Sequence, residues 1–175
     1  AQSYPSRTKD IDDVDISTGS VGLGVAMTSF ISLIQDYISR KQFGKNIPQG
    51  RMIALVGDAE LDEGNVYECL QEGWKHDLRN VWWIIDYNRQ SLDGVVHEGL
   101  SERLGAVFEA FGWNLIILKY GKLQKEAFDE PGGHLLKKWI DDCPNQLYSA
   151  LIYEGGSTFK QRILDDIGDQ DILSE

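Results

Sequence analysis

Two short apolar runs limit what this chain can fold into. Arg51-Met52-Ile53-Ala54-Leu55-Val56-Gly57 and Val81-Trp82-Trp83-Ile84-Ile85 are continuous rather than alternating, the pattern of strands buried on both faces. Gly64 to His76 between them has helical character, and strand, helix, strand in succession predicts a parallel sheet joined by right-handed crossovers. Both runs end in oxygen donors. Asp58 follows the first, and Asn88 and Gln90 follow the second. The carboxyl ends of neighbouring parallel strands form the crevice where open α/β sheets bind ligands, so these three residues are the first candidates for a site.

The remainder of the chain fits this plan. Residues 1–16 are polar and aperiodic and read as a lead-in arm, followed by the small-residue loop Ser17-Thr18-Gly19-Ser20-Val21-Gly22-Leu23-Gly24. Apolar residues at helical spacing predict a helix from Val25 to about Lys41, and Gly44 to Gly50 is a turn-rich connector. Leu100 to Phe111 reads as a further helix and Trp113 to Leu118 as a third strand. Beyond Tyr120 the pattern becomes helical: Lys122 to Asp141 with a break at Pro131-Gly132-Gly133, a helix opening at Cys143-Pro144-Asn145 and stopped by Gly155-Gly156, and a last helix over Thr158 to Ile167. The predicted fold class is α/β, a doubly wound, mostly parallel sheet with helices on both faces. Residues 17–175 form the domain, and 121–175 a helical extension of it. Three strands are few for this architecture. The start also lacks an initiator Met, so the expectation is a truncated domain, cut from a longer protein or encoded as a split subunit.

Charge narrows the partners. The chain carries 28 acidic and 17 basic residues, a net charge of −11, which disfavours nucleic acid and anionic membranes because both need clustered Lys and Arg. A bound phosphate therefore needs local help from a divalent cation, backbone N–H groups or a helix N-terminus. No apolar run is long enough to span a bilayer. Cys69 and Cys143, the two cysteines, lack CxxC spacing, which points to neither a disulfide framework nor a zinc site and fits a reducing cytoplasm.

Magnesium takes about six oxygens, usually one or two from carboxylates and the rest from phosphate and water. Asp58 offers a carboxylate, Asn88 an amide oxygen, and the backbone near Gln90 a carbonyl. One carboxylate among three protein ligands leaves net positive charge for a diphosphate. Taken singly these residues are ordinary, since a Gly-Asp before a helix is commonly an N-cap and a polar residue after a strand is commonly turn chemistry. The conjunction is less ordinary: Gly57-Asp58, then Asn88 thirty positions on, then Gln90 and the turn Leu92-Asp93-Gly94.

That conjunction resembles the thiamine diphosphate motif of the transketolase superfamily, a Gly-Asp-Gly followed after some thirty residues by Asn. Within it, Gly57-Asp58-Ala59-Glu60-Leu61-Asp62-Glu63 and Asn88-Arg89-Gln90-Ser91-Leu92-Asp93-Gly94 are most similar to the E1 component of homodimeric-type pyruvate dehydrogenases. Ser17 to Gly24 resembles the Gly-rich loop near the cofactor in these enzymes, Phe108 to Asn114 their helix-to-strand join, and Gly121 to Arg162 their helical insertion. The resemblance implies Mg²⁺ held by the side chains of Asp58 and Asn88 and the carbonyl of Gln90. It implies thiamine diphosphate contacts from Ser20, Val21, Gly57, Asp58, Ala59, Glu60, Asn88 and Gln90. One departure is plain: the second motif glycine, which lets the backbone approach the diphosphate closely, is Ala59 here.

By the same resemblance Glu63 and Glu68 fall where the superfamily carries glutamates at a dimer interface linking two active sites. The bland reading is that both are solvated helix acids. His97, after the Asp93-Gly94 turn, is a candidate for contact with substrate or diphosphate, although a loop histidine is more often simply exposed. Glu63 and His97 are the catalytic candidates. Trp82 and Trp83 point to opposite faces of their strand and are expected to pack against helices on either side.

The implied function is the diphosphate-binding domain of a pyruvate dehydrogenase E1-like enzyme, a thiamine diphosphate-dependent oxidoreductase catalysing oxidative decarboxylation of a 2-oxo acid, inactive as this chain alone. A transketolase-like subunit transferring ketol units between sugar phosphates is the alternative, and a non-catalytic interaction module keeping the fold is a third. The implied partners are a pyrimidine-binding domain or subunit of the same enzyme, a second copy in a homodimer, and an E2 acyltransferase.

Overall fold

The structure is a computed structural model that describes residues 14–43, 47–91, 94–95 and 99–168. The lead-in arm up to residue 13, the Leu92-Asp93 part of the predicted turn and His97 lie outside the described residues. The chain divides into two compact units, the first within Ala1–Asp93 and Ser101–Asn114, the second within Gly94–Leu100 and Leu115–Glu175.

The first unit is built on the two apolar runs. Strand β1 (Met52–Gly57) pairs in parallel with β2 (Val81–Asp86), in a register that runs from Met52 opposite Val81 to Gly57 opposite Asp86. Parallel neighbours need a crossover, which helix α2 (Gly64–Lys75) supplies. Helix α1 (Leu23–Arg40) precedes β1, and α3 (Leu100–Ala110) completes the unit. Because side chains alternate along a strand, Ala54 and Val56 of β1 share a face with Trp83 and Ile85 of β2. On that face they join Val25 of α1, Leu61, Val66 and Leu70, and Phe108 of α3 in one core. Trp113 closes it, its ring 4.6 Å from Trp83 and its indole N–H donating to the carbonyl of Leu70 at 3.2 Å. The Trp83 indole donates to Thr28 Oγ1 on α1 at 3.1 Å, so the polar edges of both rings are satisfied inside the core.

The opposite face is different. Ile53, Leu55, Trp82 and Ile84 are each at least 49% exposed, so no described helix of this unit covers them. The α/β class and the parallel pair match the sequence reading, whereas Trp82 is not covered by a described helix of its unit: it is half exposed, with the Arg51 guanidinium over its ring at 3.8 Å. Trp113 to Leu118 also departs from expectation. It is irregular chain, not a third strand. Ile116, Ile117 and Leu118 are 81%, 68% and 84% exposed, so this apolar run has neither the ladder nor the packed face that makes such a segment a strand.

The second unit is helical, as the pattern after Tyr120 predicts: α4 (Lys122–Asp129), α5 (Gly133–Asp142), α6 (Asn145–Glu154) and α7 (Gly156–Gly168). The break between α4 and α5 falls at Pro131-Gly132, with Gly132 at φ +78°. Asp141 organises one corner of this unit. It accepts a hydrogen bond from the Tyr120 hydroxyl and pairs with Lys119 and Lys137, both at 2.9 Å. The two-residue strands β3 (Gln90–Ser91) and β4 (Gly94–Val95) were not anticipated. No described helix is long and apolar enough to cross a membrane.

Candidate functional site

The register of β1 and β2 places the predicted donors at one edge. With Gly57 opposite Asp86, Asp58 leaves the end of one strand as Tyr87 and Asn88 leave the end of the other. After Gly57 the chain enters a 3-10 turn, Asp58–Asp62, which folds Asp58 back toward β2. Asp58 is buried, 4% exposed, and its carboxylate spans the two segments: Oδ1 accepts the N–H of Ala59 and Oδ2 the N–H of Arg89, both at 3.0 Å. Arg89 stands between Asn88 and Gln90. Thus one carboxylate oxygen lies within hydrogen-bonding distance of the residue that separates the other two predicted ligands.

The turn is unusual in itself. Arg89 has φ +63°, the left-handed region that a non-glycine residue seldom adopts, and such backbone persists where surrounding structure over-determines it. Here the bond to Asp58 helps to hold it. Asn88 is exposed, and Gln90 opens β3, so its carbonyl belongs to the same turn. A carboxylate has roughly four lone-pair positions, so the two N–H bonds of Asp58 do not by themselves exhaust it. The donor set of carboxylate, amide and carbonyl oxygens suits a hard cation such as Mg²⁺. No group of three His, Cys, Asp or Glu among the described residues is placed to hold a metal, so a metal here would rest on this mixed oxygen set.

Ala59, the departure from the motif, causes no backbone strain. Residue 59 lies in the 3-10 turn with negative φ, a conformation open to any residue. The Gly-rich loop is fixed nearby. Gly22, the N-cap of α1, has φ +76°, and its N–H donates to Glu60 Oε2 at 3.1 Å. Glu60 Oε1 accepts the N–H of Gly57 at 3.3 Å. Ser20 is exposed, with its N–H on Thr18 Oγ1 at 3.0 Å, and Val21 is half-buried beside it. Glu63 stands at the N-cap position of α2 without a side-chain capping bond, half-buried, with its Cβ against Gly22, whereas Glu68 is exposed on α2.

Tyr87 is a feature that the motif reading passed over. Burial pushes its phenol above the ordinary value, with the charges of Asp58 and Glu102 adding to the effect and Arg89 and a hydrogen bond with Ser101 opposing it. A Tyr immediately before the predicted ligand Asn88 was the available signal. Cys69, in the core, is inert by the same cause: burial, helped by Glu68 and Glu72, pushes its thiol up to about 11.

Comparison with known proteins bears on this edge directly. A family model, that of the transketolase thiamine diphosphate-binding domain, matches residues 4–129. The chain belongs to this family. Among related members, a transketolase from Staphylococcus aureus strain MW2 is 33% identical over 112 residues, 63% of this chain and 17% of the relative. One from Staphylococcus epidermidis is 32% identical over 113 residues with the same shares. A pyruvate dehydrogenase E1 component from Cupriavidus necator is 25% identical over 161 residues, 91% of this chain and 18% of the relative. The chain therefore spans less than a fifth of the length of these relatives. The family's thiamine diphosphate-binding segment covers both the Gly-rich loop and the turn around Arg89.

Proposed function

We propose that this chain forms the diphosphate-binding half of a thiamine diphosphate-dependent active site, and that the parent activity is oxidative decarboxylation of a 2-oxo acid, as in E1 components. The observation that carries the site is the Asp58 carboxylate bridging Ala59 and the Arg89 N–H between Asn88 and Gln90. In this reading Asp58, Asn88 and the Gln90 carbonyl hold Mg²⁺. Ser20, Val21, Gly57, Ala59 and Glu60 form the surrounding loops, and Glu63 and His97 act toward the reacting end. The cofactor, when bound, supplies the electron sink for breaking the bond beside the carbonyl, and the protein supplies orientation and electrostatics. Asp58 contributes charge at a buried point where few water molecules compete for the cation. The Arg89 turn fixes the spacing of the two amide-type donors.

The E1 assignment is supported by coverage: the E1 relative matches 91% of the chain, and so reaches into the helical unit, where the transketolases match 63%. Higher identity, 33% against 25%, favours a transketolase-like ketol transfer, which is the second reading. A homodimer, a pyrimidine-binding domain, an E2 acyltransferase and a cytoplasmic location belong to the same proposal. The direct test is calorimetry of thiamine diphosphate with and without Mg²⁺. Mg²⁺-dependent binding that Asp58→Ala abolishes is expected; equal binding by the variant sinks the site. Turnover of 2-oxo acids against ketose phosphates, with the rest of the enzyme supplied, separates the two activities.

A further inference from the structure

Glu60 lies two residues beyond Asp58 in a strongly acidic turn, Asp58 to Glu63, at an edge expected to receive a diphosphate. A carboxylate aimed at that ligand would repel it. The geometry instead commits both oxygens to backbone donors. Oε2 takes the N–H of Gly22, 38 residues earlier in the chain, at 3.1 Å, and Oε1 takes the N–H of Gly57 at 3.3 Å. Gly22 is buried and left-handed, and a Cβ on it would stand 2.8 Å from both Glu63 Cβ and Asn65 Oδ1. The loop is thus pressed against the start of α2 on one side and tied by Glu60 on the other. Its N–H would otherwise be a buried donor without a backbone acceptor, and a charged acceptor is the stronger partner for such a group.

We propose that Glu60 is a positioning residue that fastens the Gly-rich loop at Gly22 to the end of β1 at Gly57, and so sets where Ser20 and Val21 stand relative to Asp58. The fastening holds whatever binds there; its consequence for the cofactor rests on the function proposed above. A glutamine at this position offers one carbonyl oxygen, and its NH₂ faces the second N–H, so it replaces half of the clasp and opposes the other half.

The test uses amide hydrogen exchange by NMR on the chain without metal or cofactor, together with calorimetry of thiamine diphosphate in Mg²⁺, for wild type, Glu60→Gln and Glu60→Ala. Exchange at Gly22 is expected to accelerate by about tenfold or more in both variants, while the core amides of Val56 and Leu70 change by less than about twofold. Binding is expected to weaken in both by about tenfold. Unchanged exchange at Gly22, or equal acceleration of the core amides, overturns the proposal. Tighter binding by Glu60→Gln than by wild type also overturns it, since that marks a carboxylate facing the diphosphate. If wild type binds no cofactor while Gly22 still responds, the clasp stands and the proposed function falls.

Discussion

Replacing Gly22 with alanine tests how firmly the Gly-rich loop is built. Two costs and one gain compete. At φ +76° an L-residue pays about 1–2 kcal/mol for left-handed backbone. The new methyl would stand 2.8 Å from Glu63 Cβ, an atom fixed to the backbone, and 2.8 Å from Asn65 Oδ1, which can swing away; overpacking of this kind costs about 1–3 kcal/mol. Against this, losing a glycine reduces the entropy of the unfolded chain and returns about 0.4–1 kcal/mol. The net is a loss of about 2–3 kcal/mol. For a domain of this size it lowers the melting temperature by about 5–10 °C. Tryptophan fluorescence is the suitable assay, because four of the five tryptophans, Trp74, Trp82, Trp83 and Trp113, belong to the first unit. Gly64→Ala is the control: it meets nothing within 4 Å and its φ is not left-handed, so it carries the gain without either cost and should stabilise the protein by about 0.4–1 kcal/mol. A Gly22→Ala protein that melts with the wild type, or above it, refutes the reasoning about this loop.

Two further outcomes follow from the shifted groups. The Cys69 thiol, held up at about 11 by burial and two neighbouring glutamates, should resist a thiol reagent at pH 8 in a Cys143→Ser background and react rapidly once urea unfolds the chain. Prompt labelling of the folded protein would contradict its place in the core. At Asp141 burial works against ionisation, yet the bonds from Tyr120, Lys137 and Lys119 outweigh it and hold the carboxyl well below the usual range. A depressed folded value means stability that is present above the unfolded value near pH 4 and lost as pH falls through the folded one. Asp141→Asn should therefore destabilise the helical unit at pH 7 by about 1–2 kcal/mol, read as a lower urea midpoint, with the difference from wild type shrinking below about pH 4. A difference that is constant down to pH 2 would show that the ionised form is not what stabilises this corner.

The motif residues and the arrangement around them were readable to different degrees. The continuous runs at 51–57 and 81–85 became a parallel pair because an apolar strand flanked by a helix has few other ways to bury itself and pair its backbone. The helices after Tyr120 followed from period and from Gly and Pro breaks, which act within a turn or two. Asp58, Asn88 and Gln90 could be named because their spacing mirrors the strand–helix–strand unit. Trp113 to Leu118 misled, since a run that is apolar and β-branched by composition becomes a strand only if a neighbouring strand pairs with it. Trp82 misled for a related reason: alternation tells which face a side chain takes, not whether anything covers that face.

The amino-acid order by itself determined what acts through the chain at short range: the two buried strands and the helices, and the family that the Gly-Asp and Asn spacing marks. Tertiary structure alone decided that Asp58 reaches the Arg89 N–H, that Arg89 is held left-handed, and that Glu60 clasps Gly22. Those contacts join residues 31 to 38 positions apart. No local preference encodes such a pairing, because it exists only once β1 and β2 are in register and α1 has docked beside them.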